Sequence, residues 1–284
     1  MTIRGGLRPA LAAAVLIGLA GCGEGGAATP GSPSTASVLP AADGLVLRAE
    51  YTGGFVSPSA TTGRLPLVSV YADGRVISEG PVAAIYPGPA LPNLQVQRID
   101  QAAVQDLVDR AMDAGVAATS DLGTPPVADA PSTRFTLVTA SDTYVREAYA
   151  LSEAPAEGTG LTQEQQAARS KLSDLLSALT DTTASSTPYA PDKVAALATP
   201  WVDPQDGLAQ PDVAWPGPAL PGTSTGGLPD LSCVTATGDQ AQALVAAARS
   251  ATATTPWVTP DGARWSVTFR PLLPDESGCA DLTG

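Results

Sequence analysis

The chain has 284 residues, with 15 Lys or Arg against 28 Asp or Glu for a formal net charge of −13, and it contains no histidine. This acidity excludes a nucleic-acid partner and repels anionic lipid headgroups. The missing imidazole removes Ser-His-Asp and Cys-His nucleophile activation together with histidine metal sites.

The first 21 residues have the anatomy of a signal peptide: Arg4 and Arg8 are a basic start, Pro9 to Leu19 an apolar run, and Leu19-Ala20-Gly21 a small-residue cleavage site. The apolar run falls short of the roughly 20 residues of a spanning helix, and no later segment is apolar enough to stop transfer. Leu19-Ala20-Gly21-Cys22 resembles a bacterial lipobox. That resemblance implies diacylglyceryl transfer to the Cys22 thiol, cleavage of residues 1–21, and a stable two-chain anchor on the outer face of the cytoplasmic membrane. The mature chain would then have 263 residues and, with Arg4 and Arg8 gone, a charge of −15. It is long enough for two modest domains with real cores. Residues 22–42 are rich in Gly, Pro, Ser, Thr and Ala with one charge, Glu24, and read as a flexible tether. Its r.m.s. span would be about 25 Å.

A first unit is expected over residues 43–180. Leu45 to Tyr51 alternates like a half-buried strand that ends at Gly53-Gly54, and Leu67 to Tyr71 with Arg75 to Ile77 reads as a hairpin turning on Asp73-Gly74. Leu94 to Arg98 alternates again. Asp100 then caps a helix with Val104, Leu107, Val108, Ala111 and Met112 on one face, stapled by Ile99 and stopped at Gly115. Arg134 to Thr139 and Tyr144 to Ala150 form a second hairpin. Thr162 with Gln165 opens a second helix, whose Ala168, Leu172, Leu175, Leu176 and Leu179 share a face.

After a polar linker at residues 181–188, a second unit is expected over 189–284, less regular and with a Pro/Gly-rich stretch from Asp203 to Asp230. Leu231 to Ala236 is a strand and Asp239 caps an Ala-rich helix to Ser250. Trp257-Val258 and Trp265 to Phe269 flank a turn at Pro260-Asp261-Gly262. The fold class is therefore α+β, two small units of antiparallel strands and hairpins with packed helices. Pro-Gly-Pro-Ala-Leu-Pro occurs at Pro87 to Pro92 and again at Pro216 to Pro221, which raises either a diverged repeat or a chance recurrence in a Pro- and Ala-rich chain.

With Cys22 acylated, Cys233 and Cys279 are an even pair in an oxidising compartment and are expected to form a disulfide. No thiol is then left for catalysis. The two lysines, Lys171 and Lys193, lack a serine three residues upstream, and no Gly-rich segment matches a phosphate-binding loop. Asp203-Pro204-Gln205-Asp206-Gly207 lacks the alternating ligands and terminal Glu of an EF-hand, so a surface turn is the expectation and no metal or other cofactor is assigned. Carboxylates are plentiful, which leaves an acid/base pair or an oxygen-ligand metal site open. All four tryptophans lie in the second unit; Trp257 and Trp265 read as core, and Trp215, inside the Pro-rich stretch, as the candidate partner contact.

The lipobox, Tyr71-Ala72-Asp73-Gly74-Arg75-Val76-Ile77, the Pro87 to Pro92 segment and Arg270-Pro271-Leu272-Leu273-Pro274 together resemble actinobacterial lipoproteins of unknown function. Leu45 to Thr180, through Gly53-Gly54-Phe55 and its order of elements, resembles the emfourins, which implies inhibition of thermolysin-like metalloproteases. The expected function is a membrane-anchored, non-enzymatic binding module for an envelope protein or glycan. The alternatives are a protease inhibitor or a carboxylate-using cell-wall enzyme.

Overall fold

The alternation that begins at Leu45 produces strand β1 (Leu45–Gly53), the centre of the first of two sheets. The computed structural model describes residues 43–154, 158–181, 185–225 and 230–282, all within one compact unit. The expected signal peptide, Cys22 and the expected tether lie outside the described residues. Among those described, four helices and thirteen strands form a mixed α+β fold.

Six further strands join β1: β2 (Val68–Tyr71), β3 (Arg75–Glu79), β4 (Leu94–Arg98), β5 (Pro131–Val138), β6 (Thr143–Tyr149) and β7 (Thr187–Pro188). Their order is β6-β5-β1-β2-β3-β4-β7, antiparallel throughout. The residues read as a linker thus end on the edge of this sheet. The β2–β3 turn uses Gly74 at φ +84, where a Cβ would collide with the Ile99 carbonyl, so the Asp-Gly pair serves the turn as its chemistry suggests.

A short helix α1 (Pro58–Thr62) interrupts the β1–β2 connection, and α2 (Gln101–Asp113) and α3 (Gln163–Thr180) pack on the sheet. Asp100 caps α2 by accepting from the Ala103 N–H, and Thr162 with Gln165 forms a full capping box on α3. Both helices bury the apolar face read from the sequence, except that Met112 is exposed and Arg169 is buried. Their Val104, Val108, Leu172, Leu175 and Leu179 meet Leu47, Ala49, Val68, Val70, Val76, Phe135 and Leu137, one face of the sheet by strand parity.

The second sheet contains β8 (Lys193–Pro200), β9 (Val213–Ala214), β10 (Thr223–Ser224), β11 (Ser232–Thr237), β12 (Trp257–Val258) and β13 (Arg264–Pro271), in the order β10-β11-β8-β13-β12-β9. Helix α4 (Gly238–Ala248) covers one face through Ala241, Leu244 and Ala248. Its N-cap is Thr237 rather than the expected Asp239, which lies in the first turn and complements the positive end of the helix there. The two sheets also differ in connectivity. β5 pairs with β1 directly after α2, whereas β12, the first strand after α4, is separated from β8 by β13.

Cys233 and Cys279 are bonded, with a Cα–Cα distance of 5.9 Å. Closing a loop of 46 residues is worth about 4 kcal/mol in the loop-entropy model. The bond ties a 3-10 turn at Cys279–Leu282 to β11, and so fixes the segment that joins the sheets. Leu272 packs with Ala195 and Leu197 of β8, while its neighbour Leu273 packs with Tyr71, Ile77 and Leu94 of the first sheet. Tyr189 adds a third tie by donating to the Leu272 carbonyl at 2.9 Å; burial pushes its phenol up to about 12, which keeps it protonated and donating at neutral pH.

Candidate functional site

The antiparallel order brings the β1–β2 and β3–β4 connections, residues 54–67 and 80–93, to one end of the first sheet. The chain enters β1 at the other end, where Gly44 accepts from the Ala72 N–H, about 26 Å away at ordinary strand rise. Each connection has a buried root and an exposed tip.

In the first connection, Gly53 and Gly54 adopt φ +62 and +82, and Pro131 lies 3.3 Å from where a Gly54 Cβ would sit. Phe55 is then held through its N–H to the Asp129 carbonyl at 3.1 Å, with its ring 88% exposed. In the second, Gly80 donates to the Asn93 carbonyl and Asn93 to the Pro81 carbonyl, and Ala90 is buried against α4 with its N–H on the Ala251 carbonyl. Val82, Ile85 and Tyr86 project from it, Ile85 with 64% of its surface exposed. A third loop, residues 201–212, joins this end through the Tyr86 hydroxyl, which donates to Asp206 Oδ2 at 2.8 Å. The Leu208 N–H and that hydroxyl hold the Asp206 carboxyl below its usual range, and the same bond raises the Tyr86 phenol. Val202 and Leu208 are exposed on this loop.

Seven of the nine large apolar side chains exposed among the described residues therefore stand on three adjoining loops: Phe55, Val56, Val82, Ile85, Tyr86, Val202 and Leu208. Apolar side chains gathered in this way mark an interaction surface more than scattered ones do. Two grooves flank the first loop, about 720 and 700 Å³ in volume and both lined by Tyr51, Arg64 and Leu65; the larger lies towards Arg270 and Glu276, and the smaller runs on to the second loop at Pro81 to Ala83 and Pro89 to Asn93.

The floor of the larger groove is charged and tightly bonded. Arg48 Nη2 donates to both Asp275 oxygens at 2.8 and 3.0 Å, Arg48 Nε to Ser69 Oγ, and the buried Tyr71 hydroxyl to Asp275 Oδ1 at 2.6 Å. Burial opposes the Arg48 charge, but Asp275 and its other acidic neighbours outweigh it and raise the pKa, so Arg48 stays cationic. Beside it, Arg270 and Glu276 form a buried pair at 2.8 Å, and the second Glu276 oxygen accepts from the Leu273 N–H at 2.7 Å. Burial lowers the Arg270 pKa, and Glu276 counters that. Three carboxylates line this groove: Glu50 lies 3.9 Å from Arg134 Nη1, Glu276 has both oxygens in structural bonds, and Asp281 accepts from the Ser277 N–H and hydroxyl and from the Gly278 N–H. Bonds to Ser277 and then Gly278 hold the Asp281 carboxyl below its usual range, which favours a fixed anion over a proton donor.

Trp215 does not stand at this surface. It is 8% exposed, meets Trp257 edge-on at 5.8 Å and stacks on Phe269 at 6.3 Å, and its Nε1–H donates to the Pro218 carbonyl. The expected partner contact is thus a core side chain: β9 draws Val213 and Ala214 into the second sheet beside β12, and Trp215 follows into the cluster under α4. Trp257 is fully buried and Trp265 packs against the same cluster, as expected for the pair. Asp203 and Asp206 accept from the N–H groups two residues onward, the bonding of surface turns, and no cluster of three His, Cys, Asp or Glu able to hold a metal occurs among the described residues. Sequence reasoning missed Arg48, Arg64, Asp275 and Glu276. The one local sign was a charged Arg270 on a strand of otherwise apolar alternation, followed within six residues by two acids.

Comparison with known protein families, with curated proteins and with solved structures found no match.

Proposed function

We propose that the chain is an extracytoplasmic lipoprotein, anchored through Cys22, that acts as a non-enzymatic binding module through the loop end of its first sheet. The observation that carries this reading is the gathering of exposed apolar side chains on three interlocked loops. Against the enzymatic alternative stand the absence of histidine and the structural engagement of Glu276 and Asp281 in the groove. Protease inhibition is a narrower reading of the same surface, favoured by Phe55, whose ring is exposed while its backbone is held.

Two experiments test the proposal. Replacing Cys22 with Ala should abolish metabolic fatty-acid labelling; labelling at the wild-type level would remove the anchor from the account. For the surface, Phe55→Ser combined with Ile85→Ser should leave stability within about 0.5 kcal/mol per site, since both side chains are exposed. The same variant should lose capture of envelope components, with a thermolysin-like metalloprotease included among the baits. Val145→Ser, exposed on β6, should capture like wild type. Equal capture by all three proteins would refute the assignment of this surface.

A further inference from the structure

Strand β1 outruns one of its neighbours. Towards β5 it stays paired to its last residue, Gly53 opposite Pro131, but towards β2 the ladder stops at Ala49 opposite Val68. Continued in register, it would set Tyr51 against Pro66, which has no N–H to donate. The edge of β1 beyond Ala49 has therefore lost its strand partner for a chemical reason. Carbonyls two residues apart lie on the same strand edge, and those of Tyr51 and Gly53 are both held by one nitrogen, Arg64 Nη1, at 3.2 and 3.0 Å. A side chain stands where a strand would be.

The space in front of this edge is the larger groove, with Glu50 to Gly53 along one wall and Val56, Leu65 and Pro66 among its apolar lining. An open strand edge beside a groove of about 720 Å³ matches an extended main chain better than a compact ligand. We propose that an extended peptide segment of the partner adds to β1 over Glu50 to Gly53, its N–H groups taking the Tyr51 and Gly53 carbonyls from Arg64. Alternate apolar side chains of the peptide would meet Val56 and Leu65. Arg64 is then a place-holder that keeps the edge satisfied until a peptide arrives, which limits unselective strand pairing. This inference rests on the loop-end reading and names its partner's chemistry.

The test uses the purified protein and a six-residue acetylated, amidated peptide of alternating Val and Thr, with a twin N-methylated on every residue of one edge. Binding is followed by backbone amide shifts. The unmethylated peptide should perturb Tyr51, Thr52 and Gly53, and Arg64→Ala should tighten its binding about tenfold by removing the competing donor. Pro66→Val, which restores an N–H opposite Tyr51, should let β2 close the edge and abolish binding while the protein stays folded. No binding to wild type or Arg64→Ala, equal binding of the methylated twin, or undiminished binding to Pro66→Val would overturn the proposal. If the peptide fails while Phe55 and Ile85 still govern capture, strand addition falls and the loop-end reading stands.

Discussion

Replacing Trp215 with Ala is expected to lower the unfolding free energy by about 3–5 kcal/mol, the cost of emptying a large aromatic site that cannot fully collapse. The ring fills the centre of a cluster with Trp257, Phe269 and Leu244, and its Nε1–H is bonded within its own loop. Gly217 reinforces the site, because a Cβ there would come within 2.6 Å of the Trp215 ring. Denaturant melting measures the effect. A change under 1 kcal/mol with capture lost would instead restore Trp215 as a partner contact.

A comparable loss, about 3–5 kcal/mol, is expected for Glu276→Ala, since it leaves the Arg270 guanidinium buried without its carboxylate. The pair is 2% and 8% exposed, and Glu276 also satisfies the Leu273 N–H, so one substitution strands two donors. The double variant Arg270→Met with Glu276→Leu should recover the part of the loss that comes from the stranded guanidinium, because apolar side chains of similar volume replace a buried pair at little cost, while the Leu273 N–H stays unpaired in both variants. Equal losses in the single and double variants would show that the charge pair is not what holds the C-terminal segment between the sheets.

Much of the fold was legible wherever local chemistry and burial agree. Asp100, Thr162 and Gln165 cap their helices as their spacing suggests, and Asp73-Gly74 turns its hairpin. Strand β8 was not legible, although it is central to the second sheet. Its run Val194 to Ala198 is buried on both faces, so it shows no alternation, and alanine has little strand preference. The site was hidden for a different reason. Arg48 meets Asp275 across 227 residues, and Tyr86 meets Asp206 across 120, so only the folded chain brings the loops and the groove floor together. Trp215 was misread because a Pro-rich neighbourhood suggests exposure, whereas two residues of parallel pairing to β12 suffice to turn the chain inward.

The central claim, that the partner meets the loop end, is tested most directly by photo-crosslinking from single positions in the full-length protein produced in cells. A photoreactive side chain at Ile85 or Phe55 should trap one and the same envelope component, and one at Val145 on β6 should trap none of it. Crosslinking of that component from Val145 but from neither loop position would contradict the account.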